Sequence, residues 1–224
     1  MNAFDVLRDS LYFFKRHLVS IVQLCLPLVI FEAVLQQVVD RATDPDGFSA
    51  ASVVVGLLVY PLYTAALILF LDARTRGDAP RNLDLLAMSV RLWPRLALLT
   101  ALNTLLILLG LSLYFLPGLM LMVMLAFAEY LLVLRGMGPL QAMKESLRLT
   151  RGHFWRILLC ILCVMGPLWL LKGATLAVYP DPQNPLIAVL IDSAHSFLQL
   201  FTSVVLFRLF MLISELPDKR NGAV

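Results

Sequence analysis

The sequence predicts an all-α, polytopic membrane protein: six transmembrane helices and three short amphipathic helices at the membrane surface, arranged as three helix-plus-hairpin repeats. Three observations predict it. The 224 residues are 60% hydrophobic and 15% charged, with a mean hydropathy of +0.85, whereas about a quarter of a soluble domain is charged. Apolar runs recur that reach the roughly 20 residues needed to cross a hydrocarbon core, with only short polar links between them. One plan, a basic amphipathic helix feeding an apolar hairpin, can also be laid over the chain three times, most clearly at 139–171 and more weakly at 4–30 and 83–110.

Composition excludes several classes. A net charge of +3 is small, and the basic residues flank apolar runs, which suits a membrane protein and speaks against a nucleic-acid partner. Cys25, Cys160 and Cys163 all fall within apolar runs. The spacing of Cys160 and Cys163 is that of a CxxC pair, but the setting lacks the polar groups that lower a thiol pKa, so these read as packing residues. Asp5 and Asp9 interrupt any leader, and no cleavable signal peptide is expected.

Residues 3–16 read as the first surface helix: Phe4, Leu7, Leu11 and Phe14 recur at helical spacing, with Arg8, Asp9, Lys15 and Arg16 on other faces. The first span follows at about 18–39. An acidic link at 40–48, with Pro45 and Gly47, leads to the second span at about 49–71, where Pro61 predicts a kink. A second surface helix is expected at 82–93, ended by Pro94. Residues 96–134 are apolar except for Glu129. One straight helix of that length would reach about 58 Å at 1.5 Å per residue, nearly twice a core of about 30 Å. Pro117-Gly118 is therefore read as a hairpin turn between spans at about 96–115 and 119–134. The third surface helix covers 139–151 and bends at Gly152. Spans at about 154–179 and 186–214, joined by the loop 180–185, lead to a polar tail.

The repeats share a register. Setting Ser10 against Ser146 pairs Arg8 with Lys144, Asp9 with Glu145, Lys15 with Arg151 and His17 with His153; Ser89 joins it less closely. Of the 18 Lys and Arg residues, all but Arg41 and Lys172 fall on the side shared by both termini, which the positive-inside rule makes the cytoplasm.

Ionisable residues inside spans are costly and so are candidate sites. Depth along the helices predicts an outer cluster of Glu32 and Lys172, with Asp192 and His195 near, and an inner pair of Glu129 and Arg208. The outer cluster reads either as a ligand or proton site or as a salt bridge aligning helices. The basic faces, with Arg8, Lys15, Arg16, Arg91, Arg95, Lys144, Arg148 and Arg151, are expected to touch lipid headgroups. Asp192, Ser193, His195 and Ser196 supply the residue types of a triad, but one helix cannot converge all three groups on a point. No catalytic residue, metal site or cofactor is expected.

Pro117-Gly118, Gly138-Pro139, the Ala142-x-x-x-Ser146 helix and the run from Leu149 to Trp155 carry a resemblance. The stretch 117–158 resembles the YciC-like group of uncharacterised bacterial inner-membrane proteins. It is similar also to the membrane domain fused to some glycerophosphodiester phosphodiesterases, whose catalytic domain has no counterpart here. The resemblance implies a six-span inner-membrane protein of a Gram-negative bacterium. The expected function is a non-enzymatic envelope-maintenance or accessory role, with membrane lipids and other membrane proteins as partners. The alternative is a small transporter or lipid-handling protein.

Overall fold

An apolar segment shielded from water must satisfy its peptide groups within itself, and a helix does so locally. The computed structural model describes residues 3–42, 50–178 and 185–221, and among these it contains nine helices and no strand. Of the predicted link 40–48, residues 40–42 extend the first span's helix and 43–48 lie outside the described residues; of the predicted loop 180–185, residues 180–184 lie outside them and Pro185 already opens the last helix. Six helical segments are long and apolar enough to cross a membrane: Leu18–Val39, Val53–Thr75, Asn82–Leu113, Leu116–Arg135, Phe154–Thr175 and Val189–Ser214.

Helix α1 (Ala3–Arg16) buries Val6, Ser10 and Phe14, four residues apart and so on one face. It leads through His17 into α2 (Leu18–Ala42) with backbone bonds continuing across the junction, His17 N–H to Phe13 O and Ile21 N–H to His17 O. Phe14 packs its ring 5.5 Å from Phe201 near the chain's far end. Helix α3 (Ala50–Thr75) is the centre of the bundle, with Ala65, Ala66, Leu67 and Ile68 fully buried. Pro61 lies within it and lacks the N–H that would bond the carbonyl one turn back. Beside that gap, Leu58 O accepts the Trp93 indole N–H at 2.7 Å.

Helix α4 (Asn82–Leu113) corrects the expected break at Pro94: residues 82–93 and the third span are one helix. Its 32 residues measure about 48 Å at 1.5 Å per residue, so its first turns outrun a hydrocarbon core. The turn that follows is Tyr114 alone, in extended conformation. Pro117-Gly118 is not that turn. Both sit in the first turn of α5 (Phe115–Leu125), where a proline's missing N–H has no helical partner to lose. The hairpin closes because Gly110 and Gly118 face each other; a Cβ on Gly110 would lie 2.9 Å from the Gly118 Cα.

The fourth span is interrupted. α5 ends at Leu125 and α6 (Ala128–Arg135) starts after two residues. Helix α7 (Pro139–Thr150) fills the gap with Ser146, whose hydroxyl donates to Met124 O at 2.7 Å and accepts from Phe127 N–H at 3.2 Å. Gly152, at φ +93°, turns the chain into α8 (Phe154–Val178). α9 (Pro185–Asn221) continues as helix past 214, where a polar tail was expected. Leu105, Leu116, Trp169 and Leu170 lie exposed on the outside, a surface that suits lipid and not water.

Candidate functional site

The spans carry polar residues at helical spacing on their inward faces: Glu32 and Gln36 on α2, Tyr60 and Tyr63 on α3 with Gly56 one turn before Tyr60, Thr100 and Asn103 on α4, Ser196, Gln199 and Ser203 on α9. Packing the helices turns these stripes toward one another. They line a cavity of about 530 Å³ to which all six candidate spans contribute, with Glu129 entering from α6 and Met165 from α8.

Two carboxylates, Glu32 and Glu129, face this cavity beside the tyrosines of α3. Tyr60 donates its hydroxyl to Glu129 Oε2 at 3.5 Å, and Tyr63 lies near Glu32. The two rings meet edge to face with centroids 5.4 Å apart. Gln36 Nε2 donates to Glu32 Oε1 at 3.3 Å, one helical turn away. Three buried atoms on the wall, Glu32 Oε2, Asn103 Oδ1 and Thr202 Oγ1, have no hydrogen-bond partner among the described residues. Native interiors rarely leave such groups unsatisfied.

The sequence-predicted residues are redistributed. Glu32 turns toward α3, while Lys172 is exposed on α8, which packs chiefly on α9 and α5. Among the described residues no ion pair joins Glu32 and Lys172. Lys172 and Asp192 do gather around His195, but none of the three lines the cavity. The inner pair is rearranged too: Arg208 meets Asp9 of α1 at 4.0 Å, and Glu129 is held by Tyr60 instead. Matched depth placed these groups at the right level and said nothing of which way each helix face turns.

Ser193 is buried, and its hydroxyl has no partner among the described residues; Asp192 is exposed and His195 half-buried, so no relay is assembled. The eight basic residues assigned to headgroups, Arg8, Lys15, Arg16, Arg91, Arg95, Lys144, Arg148 and Arg151, are all exposed. Tyr60, Tyr63, Asn103 and Thr202 escaped the search for charges. Their signal was the recurrence of neutral polar residues every three or four positions within apolar runs.

Six apolar helices around a cavity with buried polar walls define an α-helical protein suited to a multi-pass place in a membrane. The chain belongs to the uncharacterised protein family UPF0259, whose family model matches residues 47–212. A UPF0259 membrane protein of Sodalis glossinidius (strain morsitans) is 28% identical over 171 residues, 75% of this chain and 66% of that protein's length. Another, of Pectobacterium carotovorum subsp. carotovorum (strain PC1), is 26% identical over 188 residues, 82% of this chain and 73% of its own. The chain thus spans just under two thirds of the first relative's length. No solved structure matches it.

Proposed function

We propose that this is a non-enzymatic bacterial inner-membrane protein that takes a small polar molecule into the cavity between its spans, in the manner of a small transporter. The observation that carries the reading is that Glu32 and Glu129 both line the cavity, Glu129 bonded to Tyr60, while no basic residue lines it or pairs with either acid among the described residues. A purely structural envelope-maintenance or accessory role would use buried charges as ion pairs that align helices. Here the acids instead face a space of a size that holds small ligands.

Both termini are assigned to the cytoplasm on the distribution of Lys and Arg. Helices α1 and α7, with the first turns of α4, are assigned to the membrane surface, their exposed bases on anionic headgroups at about 1 kcal/mol each. The threefold repeat draws support from Ser10, Ser89 and Ser146, which share the register and are all buried. The likeness of 117–158 to the YciC-like group belongs to this same reading.

Native mass spectrometry of the protein released from lipid nanodiscs tests the proposal. A chemically uniform bound molecule is expected in the wild type and not in Gly56→Leu. A Cβ on Gly56 stands 3.6 Å from Glu32 Oε1 and Gln36 Nε2, so a longer side chain extends into the cavity. Bare protein in both, or bulk phospholipid alone, would remove the carrier reading and return the structural one.

A further inference from the structure

We infer that the cavity is built for a small organic cation, an ammonium-bearing molecule held between Glu32 and Glu129. This rests on the reading above that the cavity takes a small molecule, and it names the chemical class.

Charge is the first support. The described residues lining the cavity include two carboxylates and no Lys, Arg or His. A carboxylate in a low-dielectric interior is costly unless it is protonated or meets a positive charge. The unsatisfied atoms are the second support, independent of the first. Glu32, Asn103 and Thr202 are 8%, 9% and 5% exposed, and their free atoms on the wall are oxygens. An ionised Glu32 and Asn103 Oδ1 can only accept hydrogen bonds. A ligand with N–H donors answers them, whereas an anion would set oxygen against oxygen. Tyr60, Tyr63 and Tyr130 add aromatic surface of the kind that attracts ammonium groups. Size points to an organic ion: the cavity measures about 530 Å³, and no cluster of three His, Cys, Asp or Glu exists among the described residues to hold a metal.

The other charged groupings do not compete. Lys172, Asp192 and His195 mix both signs, and Asp9 with Arg208 is already a pair.

The test uses three probes of equal length and different charge: tritiated 1,5-diaminopentane, pentane-1,5-diol and pentanedioate. Each is equilibrated with the full chain in nanodiscs of zwitterionic lipid, so that the bilayer contributes no net charge. Saturable binding is expected for the diamine alone. Glu32→Gln and Glu129→Gln should each weaken it on the order of thirtyfold or more, as loss of a buried charge partner does. Gly56→Leu, which keeps both acids, should abolish it, and a thermal melt establishes that each variant is folded. Binding of the diol or the dianion without the diamine overturns the cation assignment and leaves the carrier reading standing. Diamine binding that all three variants leave unchanged places it elsewhere and also overturns the assignment. If no probe binds, the assignment fails, and the mass spectrum of the wild type decides separately whether the carrier reading survives.

Discussion

Ser146 donates its hydroxyl to the carbonyl of Met124 at 2.7 Å across 22 residues of sequence, and the interrupted fourth span depends on that contact. Where α5 stops and α6 starts, peptide groups lose their helical partners inside an apolar bundle. Ser146 answers two of them, as acceptor for Phe127 N–H and donor to Met124 O, and Thr150 adds a longer contact to the same carbonyl at 3.4 Å. The break in turn aims Glu129, in the first turn of α6, at Tyr60 and the cavity. Discontinuous helices recur at the binding sites of membrane carriers for the same reason: irregular backbone is tolerated where it borders a cavity or is buried in protein.

Ser146→Ala should therefore destabilise the protein by about 1–3 kcal/mol, the cost of leaving buried backbone groups without a partner. Thermal unfolding in detergent measures it. Ser112→Ala is the control. Ser112 is exposed and bonds only Leu109 O in its own helix, and its loss should stay within about 0.5 kcal/mol. Equal melting temperatures for Ser146→Ala and wild type would mean the break is held by something else.

The α4–α5 hairpin has no room for a side chain at its closest approach. A Cβ on Gly118 would lie 2.5 Å from Leu111 Cγ and 2.8 Å from Leu111 N. The second of these is backbone and cannot swing aside. Gly118→Ala should cost about 1–3 kcal/mol or more through overpacking, read as a lowered melting temperature or loss of folded protein. Gly166→Ala in α8, where an added Cβ meets nothing within 4 Å, should be tolerated. Comparable damage at both positions would rule out the close contact as the cause.

Much of the architecture is written in the chain, and the exceptions share a cause. The apolar runs place six spans, and α1 forms where expected, but its inward face differs: Leu11, read as part of the apolar face, is 43% exposed, and Val6 and Ser10 are buried beside Phe14. What failed were local readings of proline and of depth. Pro94 reads as a helix end, yet it sits exposed between Arg91 and Arg95 and α4 continues through it, since a proline inside a long helix removes one backbone bond and bends the helix without having to end it. Pro117-Gly118 reads as a turn, yet the turn falls at Tyr114 and the glycine serves the approach of α4. The break at Ala126 and Phe127 contains neither Pro nor Gly, and its compensating hydroxyl comes from α7, so nothing local announces it. Glu32 and Glu129 stood out as buried charges. Their partners did not, because depth along a helix leaves its rotation undetermined.

His17 gives a pH dependence with a definite sign. It lies between the ring of Phe13 at 4.6 Å and that of Phe70 at 6.1 Å, just before the first candidate span. Burial first, then the guanidiniums of Arg74 and Arg16, hold its imidazole below the usual 6.5. The unfolded chain therefore binds a proton here more readily than the folded one. Stability should fall as pH drops through about 6.5 and level off below the depressed folded value. Melting temperatures of the wild type and His17→Phe between pH 5 and 8 isolate this share: the variant should lose part of the acid slope. Parallel curves would show that His17 titrates alike in both states.

Asp9 and Arg208 make the remaining test, because two partners compete for one guanidinium. The sequence pairs Arg208 with Glu129 by depth, whereas the fold brings it 4.0 Å from Asp9, across the contact between α1 and α9. Both side chains of that pair are about half exposed, 48% for Arg208 and 54% for Asp9. Solvent screening limits such a pair to about 0.2–1 kcal/mol. Double-mutant cycles separate the alternatives, since residues that touch couple and distant ones add. Asp9→Asn with Arg208→Gln should show a coupling within that range that shrinks as salt is raised. Glu129→Gln with Arg208→Gln should be additive. Coupling in the second cycle and none in the first would put Arg208 back beside Glu129, where its charge would satisfy the cavity's inner acid and leave no place for a cationic ligand there.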